Sequence, residues 1–269
     1  MTVVDLSQAR SGPTCTRQLA DMGAEVITIA HPRRGDLGGS DALNLNRNKR
    51  SVLLDLSVDA GRRILFELCA RSDVLVENFR PGVKHRLAIG PEAVWEHNRQ
   101  LVYASISGFG QTGPYADRPG VDQIAQGLGG LMSVTGPPGS GPWRTGIAVS
   151  DTAAGTLLTQ GILAALIARQ RTGRGQWVHT SLLEAMVGFM DFQAARWLND
   201  GEVPVQEGNE HPTITGMGTY AASDGLLNVA AIGSWTRFCA AVGAPQLATD
   251  ARFATHRDRL EHRTELRAR

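Results

Sequence analysis

Along the first two-thirds of the chain, short β-branched runs alternate with longer stretches whose apolar residues recur at helical spacing. Val3 to Leu6 predicts a strand, Pro13 to Met22 a helix closed by Gly23, and GAEVITIA the next strand, which together make a β-α-β unit. Ser51 to Leu56 continues as a short strand and Ala60 to Ala70 as a helix with Ile64, Leu65, Leu68 and Cys69 on one stripe. Asp73 to Glu77 predicts a buried strand, Glu92 to Asn98 a helix, and LVYASIS another strand. Thr152 to Gln170 predicts a long, mostly buried helix and WVHTS a strand; Ser181 and Glu184 form a capping box that opens a helix to about Asn199. Such alternation predicts a parallel, doubly wound α/β domain with ligands outside the carboxyl ends of its strands.

Two segments interrupt the pattern. Gly108 to Pro142 is rich in glycine and proline, and a loop of that length inside a compact domain is usually functional. Residues 201–212 are polar and irregular and predict a linker, which divides the chain into a large domain at 1–200 and a smaller α+β domain at 213–269. The smaller one begins with the turn TGMG, continues as a hairpin over TYAASDGLLNVAAI with its turn at Asp224-Gly225, and adds a helix from Thr236 to Val242.

Composition narrows the chemistry. With 27 basic and 26 acidic residues, the net charge of +1 offers no electrostatic case for nucleic acid or an anionic membrane, so any anion site is local. Cys15, Cys69 and Cys239 are far apart and lack CxxC spacing, which suggests neither disulfides nor zinc and fits a reducing cytoplasm. The seven histidines show no paired-ligand spacing, so no metal is expected. No signal peptide is visible, and the greasiest stretch, Gly161 to Ala168, is too short for a bilayer. A GxGxxG pattern at Gly108, Gly110 and Gly113 follows a strand, but Pro114 and Pro119 leave no helix start to hold a pyrophosphate, which argues against a dinucleotide.

Three places carry candidate chemistry. Asp151 falls between the apparent strand end GIAVS and the long helix, where it is either an ordinary N-cap or a nucleophile in a partly desolvated cleft. Asn78-Phe79-Arg80-Pro81-Gly82 follows the strand DVLVE, with Arg86 further on; the arginines suit a phosphate and the phenylalanine an adenine face, or the segment is a plain Pro-Gly turn. Arg10, after the first strand, is a third candidate or a surface charge.

Taken together, VVDLSQARSGPTCTRQLADMGAEVITI, NLNRNKRSVLLDL, DVLVENFRPG, SISGFGQTGPYADRPGVD, GIAVSDTAAG, RTGRGQWV, GNEHP, TYAASDG and DARFATHRDRL resemble the class III CoA-transferase family, of CaiB/BaiF type. Formyl-CoA transferases, carnitine-related CoA-transferases and α-methylacyl-CoA racemases belong to that group. The resemblance covers nearly the whole chain. It implies a Rossmann-like large domain, a smaller domain and an interlocked homodimer. It also implies a coenzyme A thioester as substrate, with no permanently bound cofactor, and a small carboxylic acid as the second partner.

By the same matching, the catalytic aspartate is Asp151. CoA contacts fall on Arg10, Ser11, His31, Leu54, Asp55, Leu56, Ser57, Asn78, Phe79, Arg80, Arg86 and Asp122, and a glycine loop over the substrate on Gly216 and Gly218. The implied reaction moves CoA from an acyl-CoA donor to a carboxylate through an aspartyl anhydride and an aspartyl-CoA thioester.

Three departures bear on this. Family racemases carry a histidine where this chain has Val121, which favours transfer over α-epimerisation. The acidic residue that often follows the second strand is replaced by Ala30, with His31, Pro32, Arg33 and Arg34 next. Family members continue past a segment like DARFATHRDRLEHRTELRAR and return to the large domain, so the expectation here is a small domain without that return. A racemase, or a shortened chain that binds CoA without turning it over, are the alternatives.

Overall fold

The computed structural model describes residues 1–32, 38–231 and 233–268. Arg33 and Arg34 lie outside them, as do Ile232 at the end of the hairpin and Arg269. Two compact units emerge: Met1–Met132 with Arg144–Val203, and Ser133–Trp143 with Pro204–Arg269.

The first unit is built on six parallel strands: β1 (Thr2–Asp5), β2 (Glu25–Ala30), β3 (Lys49–Leu53), β4 (Val74–Glu77), β5 (Val102–Ser107) and β6 (Trp177–Ser181). Their order is β3-β2-β1-β4-β5-β6. The connections run outward from β1 in one direction and from β4 in the other, so the crevice between the carboxyl ends of β1 and β4 is the switch point where doubly wound sheets bind ligands. Parallel strands covered on both faces need continuous apolar runs, and Val74, Leu75 and Val76 of β4 are wholly buried.

The helices up to the end of this unit are α1 (Ser11–Asp21), α2 (Gly39–Asn46), α3 (Asp59–Cys69), α4 (Pro81–Arg86), α5 (Pro91–His97), α6 (Asp122–Leu128), α7 (Leu131–Val134), α8 (Val149–Thr172), α9 (Leu182–Phe189) and α10 (Asp191–Ala195). One face of the sheet packs on α1, α6, α8 and α9 through Leu19, Ala125, Leu158, Ile162 and Met186. The other packs on α3 and α5 through Leu65, Cys69 and Val94. Leu158 and Ile162 of α8 are almost fully buried, and each such side chain contributes roughly 2 kcal/mol.

Helices α1 and α8 cross closely because Gly155 has no side chain: a Cβ there would stand 2.6 Å from the Ser11 carbonyl oxygen. At 24 residues, α8 is long and apolar enough to cross a bilayer, contrary to the expectation from Gly161 to Ala168. Its buried stripe Ala153, Ala154, Leu158, Ile162 and Ala165 is nevertheless spent on the protein core.

Several boundaries move from those expected. The third strand starts two residues earlier and ends three earlier, at Lys49–Leu53, where the parallel register with β2 runs out with Ala30 opposite Leu53. Asp55 then turns the chain by accepting the Ser57 N–H at 2.9 Å. The helix expected from Ser181 to Asn199 breaks at Asp191, whose φ of 41° is left-handed, and ends as a π-turn over Arg196–Asp200. Its predicted start holds, with the Ser181 Oγ accepting the Glu184 N–H at 3.0 Å.

The second unit pairs β7 (Met217–Ala222) and β8 (Gly225–Ala230) antiparallel; the turn falls on Ser223-Asp224, one residue before the expected Asp224-Gly225, because Gly225 already pairs with Ala222. Helices α11 (Trp235–Ala241), α12 (His256–Glu261) and α13 (Arg263–Ala268) complete it, and Cys239, Leu247 and Phe253 form its core.

Candidate active site

At the β1–β4 switch point lies a cavity of about 360 Å³ within the first unit. Gln8, Ala9 and Ser11 line it from the loop after β1, Asn78 to Pro81 from the loop after β4, and Ile106 to Gly108 from the end of β5. Ala116 and Arg118 to Asp122 close it from the glycine-rich loop, with Leu182 and Asp151 from the helical side.

Asp151 is not preceded by a strand, and it is not the N-cap. Helix α8 starts at Val149 with Ala148 as N-cap, so Asp151 is in the first turn, where the positive helix end favours an anion. Ser11, in the first turn of α1, neighbours the Asp151 carboxylate and helps to stabilise its ionised form. Burial first, and then the neighbouring Asp122 charge, outweigh Arg10 and Ser11 and push the carboxyl from its usual 3.8 up to about 6. A carboxylate so placed is dry enough to be a stronger base than a surface aspartate and is still ionised at neutral pH.

Asp122 starts α6 and reaches across to α8. Its Oδ1 accepts the Ser150 N–H at 2.9 Å and the Ser150 hydroxyl at 2.8 Å, and its Oδ2 accepts from Gln126 Nε2 at 2.7 Å. Arg144 stands 3.8 Å from Oδ2. Asp122 therefore caps the helix that carries Asp151, a task that a reading of local sequence could not assign.

Asn78 ties two cavity walls together. Its Oδ1 accepts the Gln8 N–H at 2.8 Å, and its Nδ2 donates to the Gln8 carbonyl at 2.7 Å and to Ser11 Oγ at 3.4 Å. The loop from Ser7 to Ser11 is held from below as well, where buried Asp5 accepts the Ser7 N–H at 2.9 Å and Lys49 reaches Asp5 at 3.1 Å. Gly12 follows in the first turn of α1, where a Cβ would lie 2.2 Å from the Ser7 Cβ, so only glycine fits against the loop.

Of the residues expected from the sequence, the cavity gathers Ser11, Asn78, Phe79, Arg80, Asp122 and Asp151. Arg10 stands beside them as the N-cap of α1 and forms an ion pair with Asp41. His31 and the segment Leu54 to Ser57 meet at the carboxyl ends of β2 and β3, with His31 Nε2 3.8 Å from Asp55. Leu54 and Leu56 are buried there, and Arg86, the last residue of α4, is exposed. Gly216 and Gly218 belong to the second unit: Gly216 has a φ of 77°, and Gly218 lies inside β7, where a Cβ would stand 3.0 Å from the Asn209 carbonyl oxygen.

Sequence inspection missed Gln8 and Arg118, which also line the cavity. The Arg118 guanidinium stacks 4.1 Å above the Tyr115 ring, which itself meets Phe109 edge-on at 5.8 Å. Among the described residues no group of three His, Cys, Asp or Glu side chains is placed to hold a metal ion.

The sequence pattern of CoA-transferase family III matches residues 1–269. The chain belongs to that family. It is 38% identical to the succinyl-CoA:mesaconate CoA-transferase of Haloarcula hispanica, over 99% of this chain and 72% of that protein. To the succinate–glutarate CoA-transferase of Agrobacterium fabrum it is 36% identical, over 98% of this chain and 71% of the relative. A crystal structure of a CaiB/BaiF family protein from Brucella suis superposes with a TM-score of 0.85 at 36% identity, covering 100% of this chain and 75% of the other. This CoA-transferase thus shares both sequence and fold with the family, and acyl-CoA thioesters and carboxylic acids are the substrates such enzymes exchange.

Proposed function

We propose that the chain transfers CoA from a dicarboxylic acyl-CoA to a second dicarboxylic acid, with Asp151 as the covalent carrier. One observation carries this: an ionisable carboxylate, largely removed from water and raised to about 6, lines the cavity at the sheet's switch point. The steps follow from the groups present. An Asp151 oxygen attacks the thioester carbonyl carbon, the C–S bond breaks, and CoA leaves as thiolate. The thiolate then attacks the Asp151 carbonyl of the mixed anhydride and releases the donor acid, which leaves an aspartyl-CoA thioester. An acceptor carboxylate attacks that thioester, and the returning thiolate takes the new acyl group and frees Asp151. Dividing one exchange into such steps is covalent catalysis.

Support for the CoA assignment is the wall formed by Phe79 and Arg80, an aromatic face beside a guanidinium. Arg10, Ser11, His31, Leu54 to Ser57 and Arg86 extend the same sheet edge as the expected CoA track. The exposed guanidiniums of Arg80 and Arg118 favour acids with a second carboxylate, in keeping with the dicarboxylates named for the relatives. Epimerisation is disfavoured, because the described cavity lining holds neither histidine nor lysine as a second proton carrier, and Val121 stands where the racemases have their histidine.

We also infer a homodimer. Apolar side chains stand exposed on the outer turns of α8 and from α9 through the π-turn, with Ile167 63% and Leu198 78% accessible, and a second copy would cover them.

The test is trapping. Incubation with succinyl-CoA and hydroxylamine is expected to convert Asp151 to its hydroxamate, found by peptide mass spectrometry. An unmodified Asp151, with turnover retained in Asp151→Ala, would sink the proposal.

A further inference from the structure

In the glycine-rich segment after β5, Gln111 meets a buried ion pair. Lys84 of α4 and Glu77 at the end of β4 form an ion pair at 3.2 Å with both side chains wholly shielded from solvent. The Lys84 ammonium also donates to Gln111 Oε1 at 2.5 Å and lies 5.4 Å over the Trp177 ring. Glu77 Oε2 accepts the Phe79 N–H at 2.8 Å, and Ser105 stands near the Glu77 carboxylate. Trp177 Nε1 in turn donates to Ser105 Oγ at 2.9 Å.

Two charges buried in a sheet-end pocket are a costly way to add stability, since an apolar pair of the same volume would serve as well. Their geometry instead joins two separate walls of the cavity. Glu77 fixes the backbone at Phe79, the first wall. Gln111 lies between Gly108 and Tyr115 on the second, in a loop that passes back over itself where Gly108 and Gly120 approach so closely that a Cβ on Gly108 would stand 2.5 Å from the Gly120 Cα. The same loop then delivers Arg118, Val121 and Asp122 to the cavity. The Gln111 Nε2 is buried without a hydrogen-bond partner, so the Lys84 contact is what holds this side chain.

We propose that Glu77, Lys84 and Gln111 form a buried strap that sets the width of the CoA-binding groove between the Phe79–Arg80 wall and the Arg118–Asp122 wall. These are positioning residues: none reaches the cavity, and each acts through the loop it holds. The proposal rests on the cavity being the CoA site.

Lys84→Met risks misfolding, because it leaves Glu77 buried without a counter-charge. The informative change is Gln111→Met, which keeps side-chain length and leaves the Glu77–Lys84 pair intact but removes the acceptor. Transfer from succinyl-CoA is measured with calorimetric CoA binding on the same samples. Gln111→Met is expected to raise KM for acyl-CoA and the Kd for CoA by roughly 10-fold while kcat stays within about 2-fold. Gln111→Glu restores an acceptor for Lys84 and is expected to bring both constants back to within roughly 3-fold of wild type. A lowered melting temperature with unchanged KM in Gln111→Met, or no recovery in a folded Gln111→Glu, overturns the strap alone. A wild-type chain that neither binds CoA nor transfers it overturns the CoA site, and the strap's role with it.

Discussion

Asp122 and Ser150 are joined twice, through the backbone N–H at 2.9 Å and the hydroxyl at 2.8 Å. Because Ser150 precedes Asp151, this cap brings a second carboxylate against the proposed nucleophile. Capping and charge repulsion are thus one device: the interaction that anchors the start of α8 also raises Asp151.

The first consequence is a pH profile. Asp151 attacks only when ionised, so kcat/KM is expected to fall as pH drops through about 6, where its carboxyl takes up a proton. Asp122→Asn keeps an acceptor for Ser150 but removes the charge, and is expected to move that acid limb to lower pH. An unmoved limb would mean that burial alone sets the value.

Stability should respond with the opposite sign to activity. The folded value of Asp151 lies above its ordinary 3.8, so its contribution favours folding when protonated and is lost as pH rises through about 6. Asp151→Asn is therefore expected to stabilise the protein by on the order of 2 kcal/mol at about pH 8, with the gap closing towards about pH 4. Urea unfolding at the two pH values checks this, and the same variant should lose at least roughly 1,000-fold in kcat.

The crossing of α1 and α8 gives a packing test. A methyl at Gly155 would lie 2.6 Å from the Ser11 carbonyl and 3.0 Å from the Thr14 Cβ, so Gly155→Ala must push the helices apart. A loss of roughly 1–3 kcal/mol is expected in thermal unfolding. Since Ser11 neighbours Asp151, kcat should fall as well, by roughly 10-fold.

Association can be weighed directly. Light scattering on the full chain is expected to report a dimer, and Leu198→Glu with Ile167→Glu to weaken it by roughly 10-fold or more through lost apolar contact. A monomeric wild type at micromolar concentration would remove the dimer.

Much of the first unit was legible because its strands and helices declare themselves locally. Asp73 to Glu77 reads as a buried strand from five residues, and Ser181 with Glu184 as a helix start from four. Helix α4 was harder, since Pro81-Gly82 looks like a turn until Pro81 is seen at the first helical position. In the site, Asp151 was found by its family motif, although its local reading as an N-cap was displaced by three residues.

By itself the sequence determined the alternation of the main strands and helices and the aspartate of the family motif, because periodicity and motif spacing are properties of neighbouring residues. Tertiary structure alone decided which groups surround Asp151. Ser11 and Asp122 lie far from it along the chain and on different elements, and the strap joins Glu77 and Lys84 to Gln111 across another loop. Such contacts follow from strand order and helix crossing, and no local pattern encodes which loops a doubly wound sheet will bring together at its switch point.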